Sequence, residues 1–173
     1  FASDADATTN AISYTLDDSA GGRFAIDSGT GVVTVADGTL LDREAAASHD
    51  ITVRAASTDG SSSTASFTIA LLGVNEHAPA ITSDGGAATA ALNVAENGTA
   101  VTTVTATDPD AGATRTYSIS GGADAARFTI NASSGVLVFA SASNFESPVD
   151  VGGNNVYDVT VQVSDGSLTD SQA

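Results

Sequence analysis

The chain has 173 residues and a formal net charge of −16, because 21 Asp and Glu residues stand against five Arg residues and no Lys. Such an acidic surface excludes nucleic acid and anionic membrane as favoured partners, and we expect no direct membrane insertion. There is no Cys, so neither a disulfide framework nor a thiolate metal site is available. The residues His49 and His77 are not beside a Gly-x-Ser-x-Gly turn, and the acids lie in open Gly- and Ser-rich loops, so we predict a protein that is not an enzyme.

Short strands with alternating apolar residues run through the chain, beginning at residues 12–16, where Ile12, Tyr14 and Leu16 alternate with polar residues. Further strands are predicted, in chain order, at 24–26, 32–35, 51–55, 67–71, 101–106, 116–119, 128–130, 136–139 and 159–163. Asp-Gly and Gly-Gly turns separate these strands, and no window shows a 3.6-residue apolar stripe. The pattern predicts an all-β protein, with at most a helical turn at 41–47.

The strand pattern occurs twice. Residues 23–27 (RFAID) recur as 127–131 (RFTIN), which is 104 positions later, and residues 50–53 (DITV) recur as 158–161 (DVTV). A polar segment at 73–79, which closes with a proline that interrupts sheet pairing, separates the copies. We therefore predict two β-sandwich domains, one at 1–78 that lacks its first strands and one at 79–173 that lacks its last strand.

The acidic residues gather in loops at the ends of the predicted strands. Calcium prefers six to eight oxygen ligands from carboxylates, amides and backbone carbonyls, so such loops have suitable chemistry. Any one motif is more often a plain turn than a ligand set, and a solvated acidic hinge is the alternative interpretation. The informative feature is the order of the motifs, which are Leu-Asp-Arg-Glu at 41–44, Val-Asn-Glu-His-Ala-Pro at 74–79, Ala-Glu-Asn at 95–97, Asp-Pro-Asp at 108–110 and Ser-Asp-Gly at 164–166.

This order resembles the cadherin repeat, and the resemblance covers essentially the whole chain. It implies tandem immunoglobulin-like Greek-key β-sandwiches, incomplete at both outer ends, with Ca²⁺ held where successive domains meet. Carried over residue by residue, the implied metal ligands are Asp42, Glu44, Asn75, Glu76, the backbone carbonyl of His77, Asp108, Asp110 and Asp165. The implied partial outer half-sites are Asp4, Asp6 and Asp59 at one end and Glu96 and Glu146 at the other.

The linker departs from the cadherin pattern Asp-x-Asn-Asp-x-Pro. The first linker Asp is replaced by Gly73, the second by Glu76, and the Asn that commonly follows by His77. In the second copy the Asp-Arg-Glu motif is replaced by Asn-Phe-Glu at 144–146. The loss of the linker Asp at Gly73 lowers the charge of the ligand set, and the best-preserved position combines Asn75, Asp108, Asp110 and Asp165.

The resemblance implies a calcium-rigidified adhesion or spacer module of a large extracellular or cell-surface protein, whose parent is membrane-associated. Its expected partners are calcium, neighbouring repeats of the same chain, and a protein or glycan on another cell. The absence of Cys and Lys and the abundance of Gly, Ala, Thr and Asp resemble the long surface adhesins of aquatic bacteria.

A carbohydrate-binding β-sandwich attached to a secreted polysaccharide-active or adhesive protein is the alternative. Sugar-binding platforms present exposed aromatic rings, whereas this chain has no Trp. Six aromatic residues occupy alternating strand positions that predict core, namely Tyr14, Phe24, Phe67, Tyr117, Phe128 and Tyr157. That leaves Phe139 and Phe145 as candidates for exposed rings.

Overall fold

The computed structural model describes residues 11–173, which divide into unit 1, ending at Gly73, and unit 2, from Val74 to Ala173. In the described residues, the regular secondary structure is β-strand apart from three short 3₁₀ turns. The all-β prediction is confirmed. No helix within residues 11–173 has the length and apolar character needed to cross a membrane.

Within residues 11–73, the part of unit 1 that the structure describes, there are five antiparallel strands. A three-stranded sheet has the order β1-β4-β5, and β2 and β3 form a separate hairpin. The long pair β4–β5 places Ile51 opposite Phe67. The strands are β1 (Ile12–Asp18), β2 (Phe24–Ile26), β3 (Val33–Val35), β4 (Ser48–Ser57) and β5 (Ser62–Ala70).

Unit 2 contains eight strands in the sheets β10-β11-β7, β13-β12-β9 and β6-β8. They are β6 (Ala80–Ile81), β7 (Ala100–Thr103), β8 (Ala106–Thr107), β9 (Thr116–Gly121), β10 (Phe128–Ile130), β11 (Val136–Phe139), β12 (Thr160–Ser164) and β13 (Thr169–Gln172). The strands β6 and β13 were not predicted, and the strand predicted at 101–106 divides into β7 and β8. The sequence predicted that the second repeat lacks its last strand, whereas β13 forms there and pairs with β12 over four residues.

The two units repeat the same hairpin with the same register. The hairpin β2–β3 of unit 1 corresponds to β10–β11 of unit 2, and every pair is displaced by the same 104 positions as the sequence repeat. The facing pairs are Phe24–Val35 and Ile26–Val33 in unit 1, and Phe128–Phe139 and Ile130–Leu137 in unit 2. Equivalent positions of the two units can therefore be compared directly.

The core of unit 2 lies between its sheets. Its buried members are Ile81, Val104, Tyr117, Phe128, Leu137, Phe139, Val161 and Val163. The rings of Phe128 and Phe139 stack with their centroids 4.7 Å apart, and Tyr157 meets Phe139 edge-on at 5.0 Å, which are favourable aromatic geometries. Phe139 was predicted as a candidate exposed ring, and this is wrong because its alternation with Val138 turns it inward.

The six aromatic residues that were predicted as core differ in how far they are buried. The predicted core residues Phe24, Tyr117 and Phe128 are buried, and Tyr14 and Tyr157 are half-buried. The prediction for Phe67 is wrong, since this side chain is 53% exposed. Alternation identifies the face of β5 on which Phe67 lies, but it does not say whether another strand covers that face.

Two equivalent glycines offer a matched test of packing. Gly31 and Gly135 both have left-handed backbone, at φ +72° and +71°. A Cβ at Gly135 would overlap the carbonyl oxygen of Val104, whereas at Gly31 it would meet the Tyr14 ring at 3.2 Å. Because left-handed backbone costs an L residue about 1–2 kcal/mol, we expect Gly31→Ala to lose about that much stability and Gly135→Ala clearly more. Denaturant unfolding followed separately in each unit by hydrogen exchange would measure both, and equal losses would contradict this expectation.

Candidate functional site

The linker segment belongs to unit 2, and Asp110 holds it there. This carboxylate is 7% exposed, and its Oδ2 accepts hydrogen bonds from the backbone N–H groups of Glu76 and His77, both at 2.9 Å. Its Oδ1 lies 2.7 Å from His77 Nδ1. These bonds explain why the unit boundary falls after Gly73, whereas the sequence prediction assigned residues 74–78 to the first domain.

The environment of Asp110 keeps it ionised. Burial would raise the pKa of this carboxyl, but the hydrogen bonds from the His77 backbone and side chain and from the Glu76 backbone outweigh burial and lower the pKa below its ordinary value. The group is therefore a carboxylate at neutral pH, with hydrogen-bond acceptors only.

Asp108 and Asp165 each present one buried oxygen without a hydrogen-bond partner. The Oδ1 atom of Asp108 accepts from the Asp110 N–H at 3.0 Å, and its Oδ2 is buried and unpaired. The Oδ1 atom of Asp165 accepts from the backbone N–H groups of Ser167 and Leu168, both at 2.7 Å, and its Oδ2 is again buried and unpaired. Both carboxyls thus have one oxygen fixed by a turn and one oxygen available to a ligand.

Asp165 is connected to the same linker segment. Its pKa is lowered by the backbone N–H groups of Leu168 and Ser167, against the opposing effect of burial, and the nearby Asn75 amide lowers it further. Because Asn75 precedes the two residues that bind Asp110, the segment 75–77 contacts both parts of the site. Asn75, Glu76, His77, Asp110 and Asp165, all predicted from the sequence, therefore meet at this segment.

The chemistry of these groups fits a hard cation. A buried carboxylate oxygen without a partner costs free energy, since charged groups are ordinarily compensated when they leave water. Oxygen ligands of this kind suit Ca²⁺ better than they suit zinc, which prefers nitrogen and sulfur. Within residues 11–173, however, no three His, Asp or Glu side chains stand close enough together to form a metal-binding group.

Three other predicted ligands, Asp42, Glu44 and Asp59, belong to unit 1. In unit 1, Asp42 is exposed and its Oδ1 accepts from the Ala45 N–H at 3.0 Å, while Glu44 is half-buried. The Asp59 Oδ1 accepts from the Ser61 N–H at 2.7 Å in an exposed turn. Asp4 and Asp6 lie outside the described residues.

Also in unit 2, Glu96 and Glu146 come into one neighbourhood. The Glu96 Oε2 accepts from the backbone N–H of Phe145 at 3.1 Å. The backbone N–H of Glu146 donates to the Asn144 Oδ1 at 3.0 Å. Both glutamates are exposed, and the structure brings Glu96 to the Asn-Phe-Glu motif with which the sequence prediction grouped it.

A family model, the cadherin domain, matches residues 1–72 and 91–173. The chain belongs to the cadherin family. Human protocadherin Fat 1 is 37% identical over 170 residues, which cover 96% of this chain and 4% of that protein. Mouse cadherin EGF LAG seven-pass G-type receptor 2 is 34% identical over 151 residues, or 86% of this chain and 5% of the receptor. The chain thus spans a small fraction of these relatives.

Solved cadherin structures share the fold. The crystal structure of mouse cadherin-23 EC22-24 matches 94% of this chain and 50% of its own, with a TM-score of 0.71 and 27% identity. The protocadherin gamma B4 extracellular domain matches 94% of this chain and 26% of its own, with a TM-score of 0.68 and 29% identity. The predictions of a cadherin repeat and of immunoglobulin-like β-sandwiches are therefore confirmed.

Two buried carboxylates of the second cadherin repeat were not identified from the sequence. Asp124 accepts from the backbone N–H groups of Val151 and Asp158 at 2.7 and 3.0 Å. Asp150 accepts from those of Asn154 and Asn155 at 2.9 and 3.1 Å. All four oxygens have partners, so these groups order the long β11–β12 connection. The cluster Asp-Val-Gly-Gly-Asn-Asn at 150–155 was the available signal for Asp150.

The lowered carboxyl pKa values predict acid sensitivity. The Asn154 backbone N–H, and then others including that of Asn155, lower the pKa of Asp150 although burial opposes them. A lowered folded-state pKa adds stability above the unfolded value near 3.8, and this stability disappears as pH falls through the folded value. We therefore expect unit 2 to lose stability below about pH 4, and Asp150→Asn to reduce that loss. Melting curves at decreasing pH in chelator would measure both, and identical pH profiles for the two proteins would contradict the assignment.

Proposed function

We propose that this chain is a calcium-binding cadherin module, rigidified by calcium, that serves adhesion or spacing in a large extracellular or cell-surface protein. The observation that carries the proposal is the pair of buried, unpaired oxygens of Asp108 and Asp165 at positions where cadherin repeats hold calcium. The family match supports the adhesive context. The bacterial source indicated by composition stays a prediction.

The proposed ligands in unit 2 are Asn75, Glu76, the His77 carbonyl, Asp108, Asp110 and Asp165. A bound cation would compensate the two unpaired oxygens and draw the exposed Glu76 side chain inward. Segment 74–79 would then be held at several points, and this restriction of its motion is what we mean by rigidification. Asp42 and Glu44 of unit 1 are included in the proposal as further ligands because the order of the motifs along the sequence matches the cadherin pattern.

We expect weak binding, with a dissociation constant of about 10⁻⁴ to 10⁻³ M, which is typical of extracellular calcium modules. The reason is the low charge of the ligand set, since Gly73 replaces a linker Asp. Magnesium should bind less well, because it requires near-ideal octahedral geometry and gives up water reluctantly.

Calorimetric titration of the 173-residue chain with CaCl₂ and, separately, with MgCl₂ tests the proposal at constant ionic strength. Saturable calcium binding in the expected range, reversed by chelator, would support it. If calcium produces no heat of binding, and the amide spectra of segment 74–79 are identical in calcium and in chelator, a solvated acidic hinge would be the better explanation.

Carbohydrate binding is the second candidate, and Phe145 is the observation that favours it. This ring is 63% exposed, and the Asn155 side chain donates to its carbonyl at 3.0 Å, which fixes the loop that presents it. We expect any polysaccharide retention on an affinity gel to disappear in Phe145→Ala. Retention that survives the substitution, or that Phe67→Ala abolishes equally, would exclude Phe145 as a sugar platform.

A further inference from the structure

Residues 97–98 are an Asn-Gly pair, and no other Asn of the 173-residue chain is followed by Gly. The pair begins in an exposed turn between β6 and β7. Asn97 has left-handed backbone, with φ +61°, which is a conformation that Asn tolerates better than most residues. The turn therefore explains why Asn stands at position 97, but it does not explain the glycine that follows.

The backbone at Gly98 does not require a glycine. Its φ lies outside the left-handed region, and an added Cβ would meet, apart from its chain neighbours, only the carbonyl oxygen of Ala95 at 3.8 Å, which is ordinary van der Waals contact. What glycine provides here is a backbone nitrogen that no side chain shields. The Gly98 N–H has no hydrogen-bond partner among the described residues, so this nitrogen is accessible to a reacting group.

The Asn97 side chain is the group within reach of that nitrogen. It is exposed, and its amide has no hydrogen-bond partner within residues 11–173. Asn93 is exposed and unbonded in the same way, but the β-branched Val94 follows it and shields the next nitrogen. The other described asparagines have side chains held by hydrogen bonds, and they are Asn75, Asn131, Asn144, Asn154 and Asn155.

We infer that Asn97 is a site of spontaneous deamidation, a modification that the chain carries out on itself with water as the only reagent. Asn is a thermolabile residue. The Gly98 nitrogen attacks the side-chain carbonyl carbon of Asn97 and closes a cyclic succinimide, while its proton passes to solvent and the side-chain nitrogen leaves as ammonia. Water then adds to one of the ring carbonyls and breaks the bond from that carbon to the ring nitrogen. One opening gives aspartate, and the other gives isoaspartate, in which the backbone runs through the former side chain.

Both products add a carboxylate to a turn that is already acidic. Glu96 precedes the modified residue, and its Oε2 accepts from the backbone N–H of Phe145 at 3.1 Å. Neighbouring like charges repel, and the chain as a whole has 21 acids against five Arg residues. We therefore expect the modification to weaken the hydrogen bond between Glu96 and Phe145.

Isoaspartate has a further effect, because it lengthens the backbone by one carbon between two anchored positions. The Asn97 N–H donates to the Ser143 carbonyl at 2.8 Å, and the Thr99 carbonyl accepts from the Phe139 N–H at 2.8 Å. Thr99 leads directly into β7, which pairs with β11, whereas the bond between Asn97 and Ser143 joins two loops. The extra carbon should therefore release the loop bond and leave β7 paired.

The test is storage of the folded 173-residue chain at mildly alkaline pH in chelator, which keeps the result independent of calcium, followed by peptide mapping with mass spectrometry. We expect Asn97 to lose its amide at least tenfold faster than Asn93, a rate ratio that corresponds to a barrier difference of about 1.4 kcal/mol. An isoaspartyl methyltransferase should label part of the product. In the stored protein, amide exchange should become faster at Phe145 and stay unchanged at Leu137 in β11.

Gly98→Ala is the matched variant. It should slow the reaction at Asn97 at least tenfold, because the Cβ shields the attacking nitrogen, and it should fold normally because the Cβ has room. Melting curves of both proteins before storage check that folding.

Three results would overturn the inference. The first is an equal rate at Asn97 and Asn93. The second is an unchanged rate in Gly98→Ala or a product without isoaspartate, since either excludes attack by the Gly98 nitrogen. The third is a folded chain that reacts at least tenfold more slowly than the same chain in urea, because the folded turn would then hold Asn97 away from the reaction.

Discussion

Replacing Asp108 with Asn is expected to abolish the calcium-dependent rise in melting temperature. The Asn amide oxygen retains the turn by accepting from the Asp110 N–H, as the Asp108 Oδ1 does now at 3.0 Å, so the substitution removes charge with little change of shape. Calcium at ten times its dissociation constant stabilises the folded chain by about 1.4 kcal/mol. For a domain of the size of unit 2, this stabilisation raises the melting temperature by roughly 5 °C or more. Scanning calorimetry in calcium and in chelator would measure the rise.

Asp27→Asn is the matched control. It makes the same charge change in an Asx turn, where the Asp27 Oδ1 accepts from the Gly29 and Thr30 N–H groups at 3.1 and 2.8 Å. The equivalent position in unit 2 is Asn131, which forms the same turn with Ser133 and Ser134, so Asn is compatible with the fold. We expect this variant to keep the full calcium effect. An equal loss in both variants would indicate general charge screening, and an undiminished effect in Asp108→Asn would remove it from the ligand set.

The chelator measurement adds a change of opposite sign. Without a cation, Asp108 keeps a buried, unpaired oxygen, and an uncompensated buried charge is destabilising. In chelator, the Asp108→Asn variant should therefore be as stable as the unsubstituted protein or slightly more stable. In calcium, it should be less stable than the unsubstituted protein. A side chain with a purely structural role would lose stability under both conditions.

The sequence predicted the strands that have clear alternation and long enough runs. The hairpin β2–β3 and its copy β10–β11 follow directly from the repeated Phe-x-Ile pattern. The strands β6 and β8 have two residues each, which is too short to show a period of two. Such strands are determined by tertiary pairing, for which a single sequence carries little signal.

Exposure was harder to predict than strand position. Alternation places Phe67 and Phe139 on defined faces, but coverage of those faces depends on strands distant in sequence. Phe139 is covered because β7 pairs with β11, whereas β3, which corresponds to β11, pairs with β2 alone within the described residues. Phe67 and Phe139 were therefore assigned correctly to strands, but Phe67 was assigned incorrectly to the core and Phe139 incorrectly to the surface.

Several residues of the proposed site could be grouped from the sequence, whereas their hydrogen bonds could not. Motif order named Asn75, Glu76, Asp108, Asp110 and Asp165, but nothing local in the sequence shows that Asp110 captures the linker backbone. The unpaired oxygens of Asp108 and Asp165 are likewise visible only from burial. The pattern of residues thus carries the proposal of which side chains are ligands, whereas the availability of their oxygens depends on tertiary structure.

The equivalent positions Phe139 and Val35 should differ greatly in their contribution to stability. Phe139 is 5% exposed and stacks on Phe128, and removal of a buried Phe side chain costs about 3–5 kcal/mol. Val35 is 55% exposed, so Val35→Ala should cost less than about 0.5 kcal/mol, as for other surface substitutions. Urea unfolding is the measurement, with amide exchange at Val161 reporting on unit 2 and at Ile51 on unit 1.

The pair of substitutions also tests whether the interior of unit 1 is open in solution. If it is, Phe139→Ala shifts the unfolding of unit 2 alone, and Val35→Ala leaves both units nearly unchanged. A cost for Val35→Ala that approaches the roughly 1.5–3 kcal/mol of burying a whole Val side chain would mean that something covers this face in the free protein.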